Sequence, residues 1–214
     1  MGRTKITMVR HGETDWNIAM RLQGMQNSEL TKKGIEQAKQ AAEALRNKNF
    51  DKIISSDLKR AMETAEIINK LQDVPLEKNV SIRERNFGIM EGLTREEIMD
   101  RFPETYQGYM QRKDTYPVPE GESLVDFYAR VTTGMQQIVR ENEGKHLLII
   151  THGGVLDCMM RMIFDYPLSA PRRFSIYNAS VNEFSVNEGQ WQLDSWGIIE
   201  FQKENTQSIE EPNS

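Results

Sequence analysis

The fold of this 214-residue chain is restricted most by three short apolar runs. Each run is followed by a loop or by a segment whose apolar residues have the spacing of a helix. The runs are residues 6–9, 52–55 and 146–151. Strands without a polar face are typical of parallel sheets that helices cover on both sides. The apolar faces of two such helices would consist of Ile35, Ala38, Ala42 and Leu45, and of Leu58, Ala61, Ala65 and Ile68. The sequence therefore predicts an α/β three-layer sandwich with a mainly parallel central sheet.

Residues from about 93 to 143 are predicted to be helical, with breaks at Pro103, Pro117 and Pro119. Thr94 and Ser123 have the spacing to a later acidic residue that helix N-terminal caps show. We interpret this segment as a helical insertion whose first part forms a lid over the functional site. Its side chains suit either an adaptable pocket or ordinary helix packing. These side chains are Met99, Phe102, Tyr106, Tyr109, Met110 and Tyr116.

The C-terminal part alternates between apolar and polar residues over 180–186 and 191–201, which predicts a β-hairpin turning at 187–189. Residues 202–214 are polar and aperiodic, and they predict a disordered tail. Residues 1–201 are accordingly predicted to form one domain.

Composition argues against several classes of function. The 27 basic and 32 acidic residues give a net charge of −5 without a concentrated basic face, which argues against a nucleic-acid partner. The longest apolar run, Leu147 to Ile150, is too short to span a membrane, and no segment near Met1 resembles a signal sequence. Cys158, the single cysteine, has no intrachain partner. We therefore expect a cytoplasmic protein without a membrane association.

Unusual polar residues lie at the carboxyl end of each of the three predicted strands. They are Arg10 and His11 after the first run, Ser55, Ser56, Asp57 and Arg60 after the second, and Thr151, His152, Gly153 and Gly154 after the third. Ligands of parallel sheets bind beyond the carboxyl ends of the strands. One histidine at a strand end is more often structural, but His11 and His152, two of the three histidines, occupy equivalent positions. This repetition favours a functional site.

Phosphate is the ligand that these residue types suit best. Arginine offers a planar fork of donors to phosphate oxygens, so Arg10 and Arg60 could share one dianion. Helix N-termini and glycines such as Gly153 let the backbone approach an anion closely. Arg60 could equally be a solvated arginine on a helix surface near Glu63 and Glu66, and its sequence position leaves both readings open.

Six segments in order carry a resemblance to a known family. They are "VRHGETDWN", "RLQG", "SELTKKGIEQA", "SSDLKRAMETAEII", "RERNFGIMEG" and "ITHGG". Together they resemble the motifs of the histidine phosphatase superfamily, which includes the cofactor-dependent phosphoglycerate mutases. The match runs from about Lys5 to Gly154, and the ordered set is far more specific than a lone Arg-His-Gly.

The resemblance implies a role for each matched residue. His11 corresponds to the nucleophile that becomes phosphohistidine, and Glu84 to the proton donor and acceptor. The groups around the phosphate correspond to Arg10, Arg60 and His152, and the positions lining the substrate pocket to Asn17, Gln23 and Gly24. A neutral imidazole attacks phosphorus without a metal, so no metal or cofactor is expected. By spacing alone, Glu84 could instead be a surface carboxylate paired with Arg83 or Arg85.

Hydrolysis of small phosphomonoesters is the activity that we favour. Mutases of this family carry a stretch of the Glu-Arg-His-Tyr-Gly kind and a longer insertion, whereas this chain has "ERNFG" and then "MEG", which resembles the phosphatase branch. Phosphoglycerate mutase activity and a catalytically silent protein that binds a phosphorylated metabolite remain as alternatives. The expected partner is a small phosphorylated metabolite, and the chain is expected to be a monomer or a homodimer.

Other phosphatase chemistries fit the sequence poorly. A cysteine nucleophile needs an arginine six positions later, but Phe164 stands six positions after Cys158, which we expect to be a buried helix residue. The sequence contains no phosphate-binding loop of the Gly-x-x-x-x-Gly-Lys-Ser/Thr type. A metal hydrolase would need several His, Asp and Glu ligands at defined spacings, and His146, the third histidine, stands at the start of a predicted strand.

Overall fold

The structure, a computed structural model, describes residues 2–111 and 113–202. The described strands are β1 (Thr4–Arg10), β2 (Lys52–Ser55), β3 (Leu76–Lys78), β4 (His146–Thr151), β5 (Val181–Asn187) and β6 (Gln190–Ile198). The described helices are α1 (Asp15–Ile18), α2 (Lys32–Leu45), α3 (Lys59–Gln72), α4 (Arg95–Arg101), α5 (Pro103–Met110), α6 (Leu124–Glu141) and α7 (Gly153–Phe164). Short 3₁₀ turns span Val80–Ile82 and Gly88–Met90.

The strands form one mixed sheet in the order β3-β2-β4-β1-β5-β6. Strands β1 to β4 are parallel, whereas β5 and β6 form the predicted hairpin and pair antiparallel. In register, Arg10 pairs with Thr151 and Ser55 with Ile150, so β1, β2 and β4 end at the same edge. Sequence reasoning missed β3, because this three-residue edge strand is mostly exposed and has no apolar run.

Helices cover both faces of the sheet, as the apolar strands require. Met8 and Ile149 point into one core cluster with buried residues of α6 and α7. Val9 and Ile150, the next residues along the same strands, point into the opposite cluster with residues of α2 and α3. This alternation confirms the predicted α/β sandwich with a mainly parallel sheet.

The predicted helical insertion is less continuous than its sequence suggested. Thr94 and Ser123 cap α4 and α6 through their hydroxyl oxygens, as expected, and Pro103 occupies the first turn of α5. Residues 113–123, which include both remaining prolines, lie outside any helix. Helix α6 packs its buried face into the core over the sheet. Only α4, α5 and the following loop therefore project as an addition to the sandwich.

Two further expectations concern the C-terminal end and Cys158. Of the predicted tail, Gln202 is described, and its side-chain amide donates to the carbonyl of Asn178 at 3.0 Å. Residues 203–214 lie outside the described residues. Cys158 is buried in α7, as expected, and burial raises the pKa of its thiol. No helix in the described part of the chain is long and apolar enough to cross a membrane.

Candidate active site

The parallel register brings His11 and His152 together at the carboxyl edge of the sheet. The backbone N–H of His11 donates to the carbonyl of Thr151 at 2.9 Å, which ties the end of β1 to the end of β4. The two imidazole centroids are 5.3 Å apart, and both side chains are almost fully buried. The equivalence of the two strand ends, predicted from sequence, is therefore confirmed.

His11 is held with its Nε2 atom available for chemistry. Its Nδ1 lies 2.8 Å from the carbonyl oxygen of Gly12, which can only accept a hydrogen bond. The proton of a neutral ring therefore belongs on Nδ1, and Nε2 keeps its lone pair. Arg60 Nε donates toward this Nε2 at 3.3 Å, so a guanidinium lies directly beside this nitrogen.

Arg60 and Arg10 enclose the two imidazoles with positive charge. Arg60 is 1 % exposed, and its terminal nitrogens donate to the carbonyls of Gly24 at 2.7 Å and Gln26 at 2.8 Å. Arg10 is also buried, and its Nη1 donates to the carbonyl of Ile176 at 2.7 Å. Backbone carbonyls thus help to fix the positions of both guanidiniums. The reading of Arg60 as a solvated surface arginine is therefore wrong.

Burial keeps both imidazoles neutral when no ligand is bound. Desolvation lowers the pKa of His11 and of His152 well below 6.5, and the nearby positive charges of Arg60 and Arg10 lower both further. His152 Nε2 lies 2.7 Å from the hydroxyl of Ser56, whereas its buried Nδ1 has no hydrogen-bond partner among the described residues. This Nδ1 is the atom through which His152 could contact a bound anion.

The same two histidines make folding stability depend on pH. Below pH about 6.5 the unfolded chain protonates them while the folded chain does not, because the folded pKa values are lowered. We expect the free energy of unfolding to be constant above pH about 6.5 and to fall below it by up to about 1.4 kcal/mol per pH unit for each histidine. Urea unfolding between pH about 5 and 7.5 measures this. His152→Asn removes one of the two titrating groups and should reduce the slope, and an equal slope in wild type and variant would contradict the expectation.

Glu84 reaches the same site from the loop after the 3₁₀ turn Val80–Ile82. It is 2 % exposed, and its carboxylate accepts from the backbone N–H of Arg85 at 2.8 Å and of Gly154 at 3.0 Å. Arg83 instead pairs with Asp57 through Nε at 2.6 Å. The reading of Glu84 as a surface carboxylate paired with Arg83 is therefore wrong.

Glycine is required at position 154 because Glu84 lies so close. A Cβ atom there would stand 2.1 Å from Oε1 of Glu84 and 3.0 Å from the ring of Phe127. Both distances are shorter than van der Waals contact allows. At Gly153 a Cβ would meet only Arg10 at 3.6 Å, an ordinary contact, so Gly153 contributes backbone at the start of α7.

The other residues predicted to line the pocket lie around these groups. Asn17 is buried, and its Oδ1 accepts from the backbone and hydroxyl of Thr14 at 3.1 Å each, which leaves its amide N–H groups as donors to a ligand. Gln23 is also buried, and neither atom of its amide has a hydrogen-bond partner within the described ranges. Gly24 places its carbonyl on Arg60.

Glu91 supports Arg60 indirectly, a role that sequence reasoning missed. Its carboxylate accepts from the backbone N–H groups of Met25 at 2.8 Å, Gln26 at 3.0 Å and Phe87 at 2.9 Å, and burial raises its pKa. These bonds fix the loop whose carbonyls hold Arg60. Gly24 has a positive φ of 55° there, and a Cβ would lie 1.9 Å from the Glu91 carboxylate.

Asn178 is a second missed residue. Its amide nitrogen donates to the carbonyl of His11 at 3.1 Å and to Oδ1 of Asn17 at 3.3 Å. It precedes β5 in a loop, and no motif or apolar pattern marks it. Only the pairing of β5 with β1 brings it to the histidine.

A cavity of about 550 Å³ opens from Glu84 and Gly154 toward the surface. Tyr109, Met110 and Tyr116 line it, so part of the insertion does face the site. The remaining three side chains proposed from sequence do not line this cavity. Tyr106, for example, packs against the apolar cluster formed by Leu22, Phe87, Met90, Ile98 and Val118.

Comparisons with known proteins place this arrangement in a family. The model of branch 1 of the histidine phosphatase superfamily matches residues 6–199. The chain is 36% identical to phosphoglycerate mutase-like protein 4 of Arabidopsis thaliana over 200 residues, which cover 91% of this chain and 85% of that protein. It is also 36% identical to a metal-independent phosphoserine phosphatase of the same plant over 199 residues, covering 92% of this chain and 82% of the relative.

Solved structures agree with the fold. Bacillus stearothermophilus YhfR superposes with a TM-score of 0.85 at 33% identity, covering 92% of this chain and 98% of that one. A phosphoserine phosphatase from Entamoeba histolytica in complex with 3-phosphoglyceric acid superposes with a TM-score of 0.81 at 28% identity. The match covers 92% of this chain and 98% of that one. With a family model over nearly the whole chain and the expected motifs in one pocket, the chain belongs to branch 1 of the histidine phosphatase superfamily.

Proposed function

We propose that the chain is a metal-independent phosphatase that hydrolyses small phosphomonoesters through a phosphohistidine on His11. The observation that carries the proposal is the setting of His11 Nε2. This atom is buried, keeps its lone pair because Nδ1 contacts the carbonyl of Gly12, and lies beside Arg60 and near His152. Such a setting supplies a neutral nucleophile within a cationic cradle, as phosphoryl transfer requires.

In the first half of the reaction, Nε2 of His11 attacks phosphorus as the bond from phosphorus to the ester oxygen breaks. Arg10, Arg60 and Nδ1 of His152 take up the negative charge of the phosphoryl oxygens. The carboxyl of Glu84 gives its proton to the leaving alkoxide, which departs as the alcohol. The product is a phosphorylated His11 and a Glu84 carboxylate.

In the second half, water replaces the alcohol. The Glu84 carboxylate removes a proton from this water as its oxygen attacks phosphorus, and the bond from phosphorus to Nε2 breaks. Inorganic phosphate leaves, and the neutral His11 and protonated Glu84 are restored. Two backbone N–H donors hold the Glu84 carboxylate in place throughout.

Phosphatase activity is favoured over mutase activity by the open approach to Glu84. The cavity of about 550 Å³ leads from Glu84 to the surface, so water can reach the carboxylate that would activate it. The relatives include both a phosphoserine phosphatase and phosphoglycerate mutase-like proteins, so the names alone do not choose.

Two measurements test the proposal. Acid-free quenching during turnover followed by mass spectrometry should detect one acid-labile phosphoryl group on the peptide that contains His11. Incubation with p-nitrophenyl phosphate should release inorganic phosphate, and incubation with 3-phosphoglycerate should form no 2-phosphoglycerate. A phosphoenzyme that equilibrates the two phosphoglycerates without net hydrolysis would establish the mutase instead, and binding without either reaction would indicate a silent relative.

Chelators are expected to leave the hydrolysis rate unchanged. The nucleophile is a neutral imidazole that needs no metal to lower its pKa, and guanidiniums supply the positive charge that a metal ion supplies elsewhere. Turnover of p-nitrophenyl phosphate after dialysis against excess EDTA measures this. A loss of activity that a divalent cation restores would contradict the mechanism.

A further inference from the structure

The cavity outside Glu84 carries an excess of positive charge. Its cationic lining residues are Arg85, Lys113, Arg172 and Arg173, against the carboxylates of Glu84 and Asp157. Asp157 is already paired with Arg161, whose Nε donates to it at 2.8 Å. The lining therefore holds four cations against two carboxylates, and one of those carboxylates already has Arg161 as its partner.

Three of these cations have no ion pair with the residues that the structure describes. Within residues 2–111 and 113–202, no carboxylate lies within pairing distance of Lys113, Arg172 or Arg173. Arg172 and Arg173 lie in the loop between α7 and β5, and Lys113 follows α5, so two separate segments bring positive charge to one opening. Solvated surface arginines have no reason to gather at one opening. A binding site for an anion requires several positive charges close together.

Arg85 extends this charge toward the catalytic end of the cavity. It is 5 % exposed, and its Nε and Nη2 donate to the neutral carbonyl of Glu122 at 3.0 and 2.7 Å. The guanidinium also lies 5.3 Å from the ring centroid of Phe87 and 5.7 Å from that of Tyr109. It is therefore a fixed cation next to aromatic rings and beside Glu84.

The rest of the lining is apolar and aromatic. Tyr109, Tyr116, Phe127 and Phe174 contribute rings, and the volume of about 550 Å³ lies in the range of roughly 300 to 1,000 Å³ that holds drug-sized ligands. A three-carbon phosphorylated acid would leave most of this space unfilled. The rings suit a flat or apolar body between the phosphate and the outer cations.

We propose that the alcohol half of the substrate has an apolar, preferably aromatic, body that ends in a second anionic group, either a carboxylate or another phosphate, bound by Arg172 and Arg173. The inference rests on the proposed phosphatase function and specifies its substrate class. The reacting phosphate lies in the cradle around His11, the body lies along the rings, and the distal anion lies at the mouth.

A matched series of aryl phosphates tests this directly. The probes are phenyl phosphates whose para substituent is neutral (nitro), anionic (carboxylate or phosphonate) or cationic (aminomethyl). The measured quantity is the ratio of kcat/KM for an anionic ester to kcat/KM for the cationic ester. We expect this ratio to be about fivefold or more lower in the double variant Arg172→Gln/Arg173→Gln than in wild type. The intrinsic reactivity of each ester cancels from this comparison. Salt should lower the wild-type ratio, because it screens charges at the cavity mouth.

Arg46→Gln/Arg140→Gln is the matched control, since it removes the same charge from exposed arginines outside the cavity. An equal fall of the ratio in this control, or no fall in the first variant, overturns the inference while leaving hydrolysis intact. If the wild type hydrolyses none of the esters, both the inference and the proposed function fail. A carboxylate ester favoured over the phosphonate identifies a carboxylic acid as the distal group, and the reverse order identifies a phosphate.

Discussion

Replacing His11 with alanine is expected to lower kcat/KM for p-nitrophenyl phosphate by on the order of 10⁴-fold or more, to the level of a blank. The variant removes the nitrogen that forms the bond to phosphorus in the proposed mechanism. Arg10, Arg60 and His152 would still bind phosphate. Inhibition by vanadate or binding of inorganic phosphate should therefore survive in the variant.

His146→Ala is the matched control for this experiment. His146 is the first residue of β4, at the opposite edge of the sheet, where its ring stacks on Phe50 with centroids 4.5 Å apart. Its replacement should leave turnover close to that of wild type. Equal activity in wild type and His11→Ala would mean that a contaminant or a different site performs the hydrolysis.

The strands that could be predicted from sequence are those whose pattern of apolar and polar residues lies within a few neighbouring positions. Strands β2 and β4 have the predicted bounds because each is an unbroken apolar run closed by polar residues. Strand β1 extends the predicted run by a few residues. The convergence of His11 and His152 followed from topology, because parallel strands end at one edge of a sheet.

What could not be predicted depends on segments that meet only in three dimensions. Asn178 contacts His11 because β5 pairs with β1, although 167 positions separate them along the chain. Glu91 belongs to a recognised motif. Its carboxylate fixes the loop at 24–26, whose carbonyls accept from Arg60, and this contact exists only once the loop is folded against it. Neither contact leaves a periodic or local pattern in the sequence.

For a related reason, the sequence does not show which helices of the insertion lie on the sheet. Helical spacing in α6 is equally compatible with a lid and with a layer on the sheet, and only its burial against the core distinguishes the two. The spacing of the aromatic residues of α5 was likewise compatible with lining a pocket and with ordinary helix packing. Tyr106 and Tyr109, on the same short helix, both pack against one apolar cluster, but of the two only Tyr109 also lines the cavity.

Replacing Glu84 with glutamine is expected to have an effect that depends on the leaving group. For an alkyl phosphate such as glycerol phosphate, kcat/KM should fall by about 10²- to 10⁴-fold, because the departing alkoxide then receives no proton. For p-nitrophenyl phosphate the fall should be much smaller, since nitrophenolate is stable enough to leave unprotonated. Steady-state rates of both esters measure this difference.

The second half of the reaction supplies an independent readout of the same variant. Glutamine cannot remove a proton from water, so the phosphohistidine formed from p-nitrophenyl phosphate should accumulate. Rapid mixing should then show a burst of nitrophenol close to one equivalent of enzyme, followed by a slow steady rate. Glu66→Gln, on an exposed face of α3, should show neither effect. A purely structural role for Glu84 would instead depress both esters equally and produce no burst, because loss of its bonds to Arg85 and Gly154 would disturb the whole site rather than one proton transfer.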